Sequence, residues 1–82
     1  MTKGDILQKM QDILSEQFQI DRNIITLEAT LKDDLELDSI DTVDLLVKMK
    51  EYTQRRIEPE LFKKVVTVHD VVDLLYPLIN ET

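Results

Sequence analysis

Asp33-Asp34-Leu35-Glu36-Leu37-Asp38-Ser39-Ile40-Asp41-Thr42-Val43-Asp44-Leu45-Leu46 is the stretch on which the reading of this chain turns. Asp38 is a plausible N-cap, and Asp41, three residues on, resembles a capping box with a shorter acid. A helix is therefore expected from about Ser39 to Tyr52. Ile40, Val43, Leu46, Val47 and Met49 or Lys50 follow its period, and Asp41, Asp44, Lys48 and Glu51 are expected to lie outward. Ser39 falls in the first turn with its hydroxyl exposed. Unpaired N–H groups and the helix dipole tolerate an attached phosphate there. Asp38 and Asp41 oppose that effect, so a phosphoryl group would be tethered at the surface, open to other proteins. A serine at such a position is more often only a helix-start residue. The setting weakens that reading: Ser39 opens the most acidic helix, at the end of a long connection.

Upstream, Ile6, Leu7, Met10, Ile13, Leu14 and Phe18 recur at three- and four-residue steps and predict an amphipathic helix over Lys3 to Phe18. The connection from Gln19 to Asp38 is unusually long for a small domain. Its anchors Ile20, Ile24, Ile25, Leu27, Leu31, Leu35 and Leu37 imply that it packs over the core, and Asp21-Arg22-Asn23 reads as a turn. Downstream, Pro59 suits the first turn of a short helix. A last helix starts near Thr67, with Asp70 completing a capping pattern and Val68, Val71, Val72, Leu75 and Leu78 as its buried face. Pro77 should end or kink that helix. Val65-Val66-Thr67-Val68 is β-branched, but a single strand has no partner in this pattern.

The result is an all-α fold: a four-helix bundle of three main helices and one short helix, with a long first loop. Composition agrees. There is one Gly, and no Asn-Gly or similar hairpin signal occurs. Eighty-two residues leave room for one domain and one core, with about 63% of the surface buried. A large enzymatic cleft does not fit easily into so small a body.

Seventeen acids against ten bases give a net charge of -7. That charge disfavours nucleic acid and anionic membrane surfaces, and favours partners with basic docking surfaces. Without cysteine, disulfides, thiolate metal sites and thiol catalysis fall away. No stretch resembles a signal peptide or a membrane span, and a cytoplasmic monomer is expected. Ser39, the lone His69 and nearby acids could be read as a hydrolytic triad. No Gly-rich nucleophile elbow surrounds Ser39, however, and His69 is expected exposed in a first turn. The run Asp33, Asp34, Glu36 and Asp38 lacks the interior Gly and regular ligand spacing of a calcium loop, so it reads as a solvated acidic patch.

With these residues in view, the chain resembles acyl carrier proteins, whose prosthetic-group segment reads acid-acid-Leu-Gly-x-Asp-Ser-Leu-Asp before an amphipathic helix. Ile57 ahead of an acidic-Pro stretch, Val65-x-Thr67-Val68 and the first helix extend the likeness over essentially the whole chain. The resemblance implies a non-enzymatic carrier with 4'-phosphopantetheine on Ser39, added from coenzyme A by a holo-acyl-carrier-protein synthase, a phosphopantetheinyl transferase, with Mg²⁺. The arm's thiol would hold acyl groups as thioesters and so supply the thiol that the chain lacks. Asp38 would help position the Mg²⁺. Glu36, Asp41, Asp44 and Glu51, with Ile40 and Val43, would meet the basic docking patches of acyl-chain synthesis and transfer enzymes. Ile40, Val43, Leu46 and Val47 would line the acyl channel. No intrinsic metal is implied.

Three departures stand out. Glu36 occupies the family's usual Gly, Ile40 follows the serine where the family has Leu, and Lys48, Lys50, Arg55 and Arg56 interrupt what is commonly an acidic run. The docking face is therefore expected to be split, acidic near Ser39 and mixed beyond. Two other readings stand beside a fatty-acid-type carrier: a specialised carrier for polyketide, aminoacyl or other groups, and an acidic helical interaction module without a prosthetic group.

Overall fold

The computed structural model describes residues 2–80, which form four α-helices and one 3₁₀ turn. Helix α1 spans Lys3–Gln17. Its start is set by a box the sequence reading overlooked: Thr2 Oγ1 accepts from the Asp5 N–H at 3.1 Å, and the Asp5 carboxylate accepts from the Thr2 N–H at 2.9 Å. The bond from the Thr2 N–H, and after it the Thr2 hydroxyl, hold the Asp5 carboxyl below its usual range. At the other end Gln19 turns left-handed at φ 57°, and the Ile20 N–H reaches back to the Leu14 carbonyl at 3.1 Å, closing the helix as a Schellman-type cap does.

Helix α2 spans Ser39–Thr53, α3 Pro59–Phe62 and α4 Val68–Ile79. The α2 and α4 starts are those the sequence predicts. Each carries a complete capping box, from Asp38 and Asp41 in α2 and from Thr67 and Asp70 in α4. Helix α1 lies against both α4 and α2. Ile6, Met10, Ile13 and Leu14 of α1 meet Val68, Val71, Val72 and Leu75 of α4 and Leu45, Leu46 and Met49 of α2 in one buried cluster. Removing a side chain of this kind from water is worth about 1.5–3 kcal/mol, so this face dictates how the helices pack.

The long first connection packs on the bundle, as its anchors imply. Ile25, Leu31, Leu35 and Leu37 are buried, joined by Ala29, while Ile24 is exposed in the 3₁₀ turn Arg22–Ile24. Asp21 caps that turn through its bond from the Asn23 N–H at 2.9 Å. The Gln11 side-chain amide donates to the Ile25 carbonyl at 2.9 Å and fastens the loop to α1.

The structure corrects one expectation here and narrows another. Val65–Val68 does find a partner: Thr30 and Thr67 form an antiparallel bridge. The Leu31 N–H donates to the Val66 carbonyl at 2.9 Å and the Val68 N–H to the Ala29 carbonyl at 3.0 Å. This bridge ties the long loop to the start of α4. Pro77, in turn, does not end α4, which runs on through Ile79. Proline removes its own N–H and its ring crowds the carbonyl four residues back, a disturbance that a helix can absorb without ending. Beyond it, the Asn80 N–H still reaches the Tyr76 carbonyl at 3.1 Å.

Candidate functional site

The long loop delivers Ser39 to the first position of α2, where the residue is exposed. The capping work at this terminus belongs to Asp38. Its Oδ1 accepts from the Asp41 N–H at 2.8 Å, and the Asp41 carboxylate accepts from the Asp38 N–H at 3.4 Å. Thr42 Oγ1 adds a bond to the Asp38 carbonyl at 2.9 Å. The Ser39 hydroxyl takes part in none of these bonds. A serine that starts a helix ordinarily does so by capping it, and here that task is already filled.

Ser39 stands at the edge of a groove of about 680 Å³. Leu31 and Leu37 of the loop, Val43 and Leu46 of α2, Phe62 of α3, and Val65 and Val66 form its apolar walls, and Asp33, Asp38, Lys32 and Lys63 form charged parts of its lining. Of the four predicted channel residues, Val43 and Leu46 line this groove, whereas Ile40 and Val47 do not. Ile40 is 73% exposed, Val43 55% and Val47 46%. Helical geometry explains the difference. Four residues advance the helix by about 40° beyond a full turn and by about 6 Å, which carries Val47 past the groove. It lies instead in a second cleft with Lys50, Glu51, Gln54, Arg55 and Arg56. The face that α2 turns to the core holds Leu45, Leu46 and Met49. The periodicity of Ile40, Val43 and Val47 therefore marks a second, outward apolar stripe.

Among the predicted docking acids, Glu36, Asp44 and Glu51 are exposed, while Asp41 is half-buried and held in the capping box. Glu36 adopts φ 55°, the left-handed region that glycine enters most readily. His69 Nε2 lies 3.3 Å from Asp73 Oδ2 and His69 is not part of the Ser39 groove, so the structure does not assemble a Ser39–His69 triad. Among the described residues no group of three or more His, Asp or Glu side chains is arranged to hold a metal ion, and no helix is long and apolar enough to cross a membrane.

The loop and α3 walls of the groove were not legible as site residues. Leu31, Phe62, Lys32 and Lys63 join the lining of the Ser39 groove only through tertiary folding, and their spacing carries no signal for it.

A family model described as a phosphopantetheine attachment site matches residues 8–75. The chain is 48% identical over 79 residues to acyl carrier protein 2 of Ralstonia nicotianae, covering 96% of this chain and 98% of that one. It is 40% identical over 70 residues to the acyl carrier protein of Phytoplasma mali, covering 85% of this chain and 83% of that one. This chain belongs to the acyl carrier protein family. The crystal structure of the Thermotoga maritima acyl carrier protein superposes with a TM-score of 0.86 at 30% identity, over 96% of this chain and 92% of that one. The function is accordingly that of an acyl carrier, and covalently attached phosphopantetheine is its prosthetic group. The all-helical bundle expected from the sequence is the fold of the family.

Proposed function

We propose that Ser39 is the attachment residue, and that the chain shuttles acyl intermediates of fatty-acid or related acyl-chain biosynthesis as thioesters at the end of the arm. One observation carries this reading. Ser39 is exposed at the start of α2, its hydroxyl is not used to cap the helix, and it opens onto an apolar groove. The bound arm supplies the thiol to which the acyl group is esterified. The chain's own residues do the rest. Asp38 and Asp41 fix the turn that presents Ser39, and the Asp38 carboxylate would help the transferase position its Mg²⁺. Val43, Leu46, Phe62 and Val65 shelter the acyl chain from water.

The outward acids Glu36 and Asp44, the half-buried Asp41, and exposed Ile40 and Val43 meet basic enzyme surfaces beside the arm. Long-range charge speeds such encounters more than it tightens them, which suits a monomeric cytoplasmic carrier that must also leave. Lys50 and Arg56 at the far end of α2 favour a specialised partner set as the second reading. Loading with phosphopantetheine by a broad-specificity transferase, read by intact mass in wild type and Ser39→Ala, tests the assignment.

A further inference from the structure

The outward stripe of α2 carries opposite charge at its two ends. Ile40, Val43, Asp44, Val47, Lys50 and Glu51 are all exposed, at the three- and four-residue steps that place them on one face. Glu36, Asp38, Asp41 and Asp44 surround the Ser39 end. Residues 48–56 hold Lys48, Lys50, Arg55 and Arg56 against a single acid, Glu51. Val47, Lys50, Arg55 and Arg56 share a cleft of about 390 Å³ at that end.

Distance decides how a partner senses this pattern. At about 1.5 Å per residue, Asp41 and Lys50 stand about 14 Å apart along the axis. That exceeds the screening length of about 8 Å at physiological ionic strength. An approaching surface therefore meets two separate fields and not their average. Helix stability accounts for only part of the basic cluster. Lys50 lies in the last turn and suits the macrodipole, whereas Arg55 and Arg56 lie beyond the left-handed cap at Gln54. Arg56 reaches Glu58 at only 3.8 Å, with both side chains largely in water.

We propose that this carrier docks through a two-sign contact. Its cognate acyl-transfer enzyme presents cations to the Ser39 end of α2 and a cluster of carboxylates about 16 Å further along the axis, over the Val47 cleft. This inference rests on Ser39 bearing the arm. Ile40, Val43 and Val47 form the apolar centre of the contact, and the opposed charges fix its register. An enzyme whose docking face is wholly basic meets Lys50, Arg55 and Arg56 as repulsion, which excludes the carrier from that enzyme.

The test compares the wild type and K50E/R55E/R56E, each in the holo form charged with the same acyl group as a thioester, as substrates of a β-ketoacyl synthase whose docking face is wholly basic. Intact mass first establishes loading. A wild-type chain that takes no arm overturns the attachment reading and this proposal with it. With loaded proteins, the triple reversal should raise kcat/KM about tenfold, from roughly twofold at each of three exposed contacts. The milder K50Q/R56Q should gain about threefold. Thermal melts verify that both variants fold. An unchanged or lower kcat/KM in the folded, loaded variants overturns the proposal. So does a fall in melting temperature with no gain in rate, since it assigns the cations to helix stability alone.

Discussion

The Asp41 backbone N–H donates to Asp38 Oδ1 at 2.8 Å, so the first turn of α2 is closed by the residue before Ser39 and not by Ser39 itself. The two neighbours thus differ in their tasks: Asp38 holds the backbone, and the Ser39 hydroxyl takes no part in that cap. Asp38→Ala should cost about 1 kcal/mol in a denaturant melt, the usual loss of an N-cap, whereas Ser39→Ala should stay within about 0.5 kcal/mol of wild type, as for other exposed sites. Equal losses would show that the division is wrong.

Asp44 and Asp41 differ in a similar way, and reversing each should separate an effect on docking from one on folding. Asp44 is exposed, while Asp41 also accepts from the Asp38 N–H. Asp44→Lys should slow loading by a transferase several-fold, with the melting temperature nearly unchanged. Asp41→Lys should slow loading and also lower stability by about 1 kcal/mol through the lost box. If Asp44→Lys melts as low as Asp41→Lys, the outward placement of Asp44 fails.

Glu36 stands at φ 55°, where a side chain costs roughly 1–2 kcal/mol relative to the right-handed region. Glycine removes that cost but gains entropy in the unfolded chain, an offset of about 0.4–1 kcal/mol. Glu36→Gly should therefore stabilise the fold by about 0.5 kcal/mol, read from the urea midpoint. A loss of stability would mean that the Glu36 side chain does more for the fold than its exposure implies.

How far the sequence disclosed this molecule depended on how local each signal was. The boxes Asp38–Asp41 and Thr67–Asp70 are written within four residues, so the starts of α2 and α4 could be read directly. The facing of α2 could not. Ile40, Val43, Leu45, Leu46, Val47 and Met49 make two apolar stripes, and periodicity cannot say which one the bundle covers. The core takes Leu45, Leu46 and Met49, and the other stripe is left exposed. The Thr30–Thr67 bridge joins residues far apart in the chain, and no pattern in either segment announces the other. Ser39 could be singled out as a candidate because its motif is contiguous. The groove beside it could not be, because its walls come from the loop, α2 and α3 together.

The bridge makes a prediction for hydrogen exchange. The amides of Leu31, Val68 and His69 donate to the Val66, Ala29 and Leu27 carbonyls at 2.9, 3.0 and 2.9 Å. They should exchange as slowly as amides in the middle of α4, although Leu31 lies in an irregular loop. Fast exchange at Leu31 would show that the loop is not pinned to α4.

Asp70 contributes to the acid limb of the stability curve. The Val66 and Thr67 N–H groups donate to its Oδ2 at 2.9 and 3.1 Å, and these bonds, Val66's first, hold its pKa below the ordinary 3.8. Because the folded-state pKa is the lower one, the unfolded chain takes up the proton first. Stability from Asp70 is complete above the unfolded value and is lost as pH falls through the folded value. Asp70→Asn should be less stable than wild type at pH 7, with the gap closing below about pH 4. A gap that stays constant down to pH 2 would rule out this linkage.

Acyl chains should stabilise the holo protein in proportion to the methylenes they bury, at about 0.8 kcal/mol each until the groove is full. Val43→Trp, introduced from an exposed position at the groove mouth, should flatten the dependence of melting temperature on chain length. A dependence that is already flat in wild type would place the acyl chain outside the groove.

Intact mass after incubation with coenzyme A, Mg²⁺ and a phosphopantetheinyl transferase tests the central claim most directly. Wild type should gain the mass of one phosphopantetheine, and Ser39→Ala, folded as judged by its melt, should gain none. Loading that persists in Ser39→Ala, or a wild type that is never modified, would contradict the assignment of Ser39 as the attachment residue.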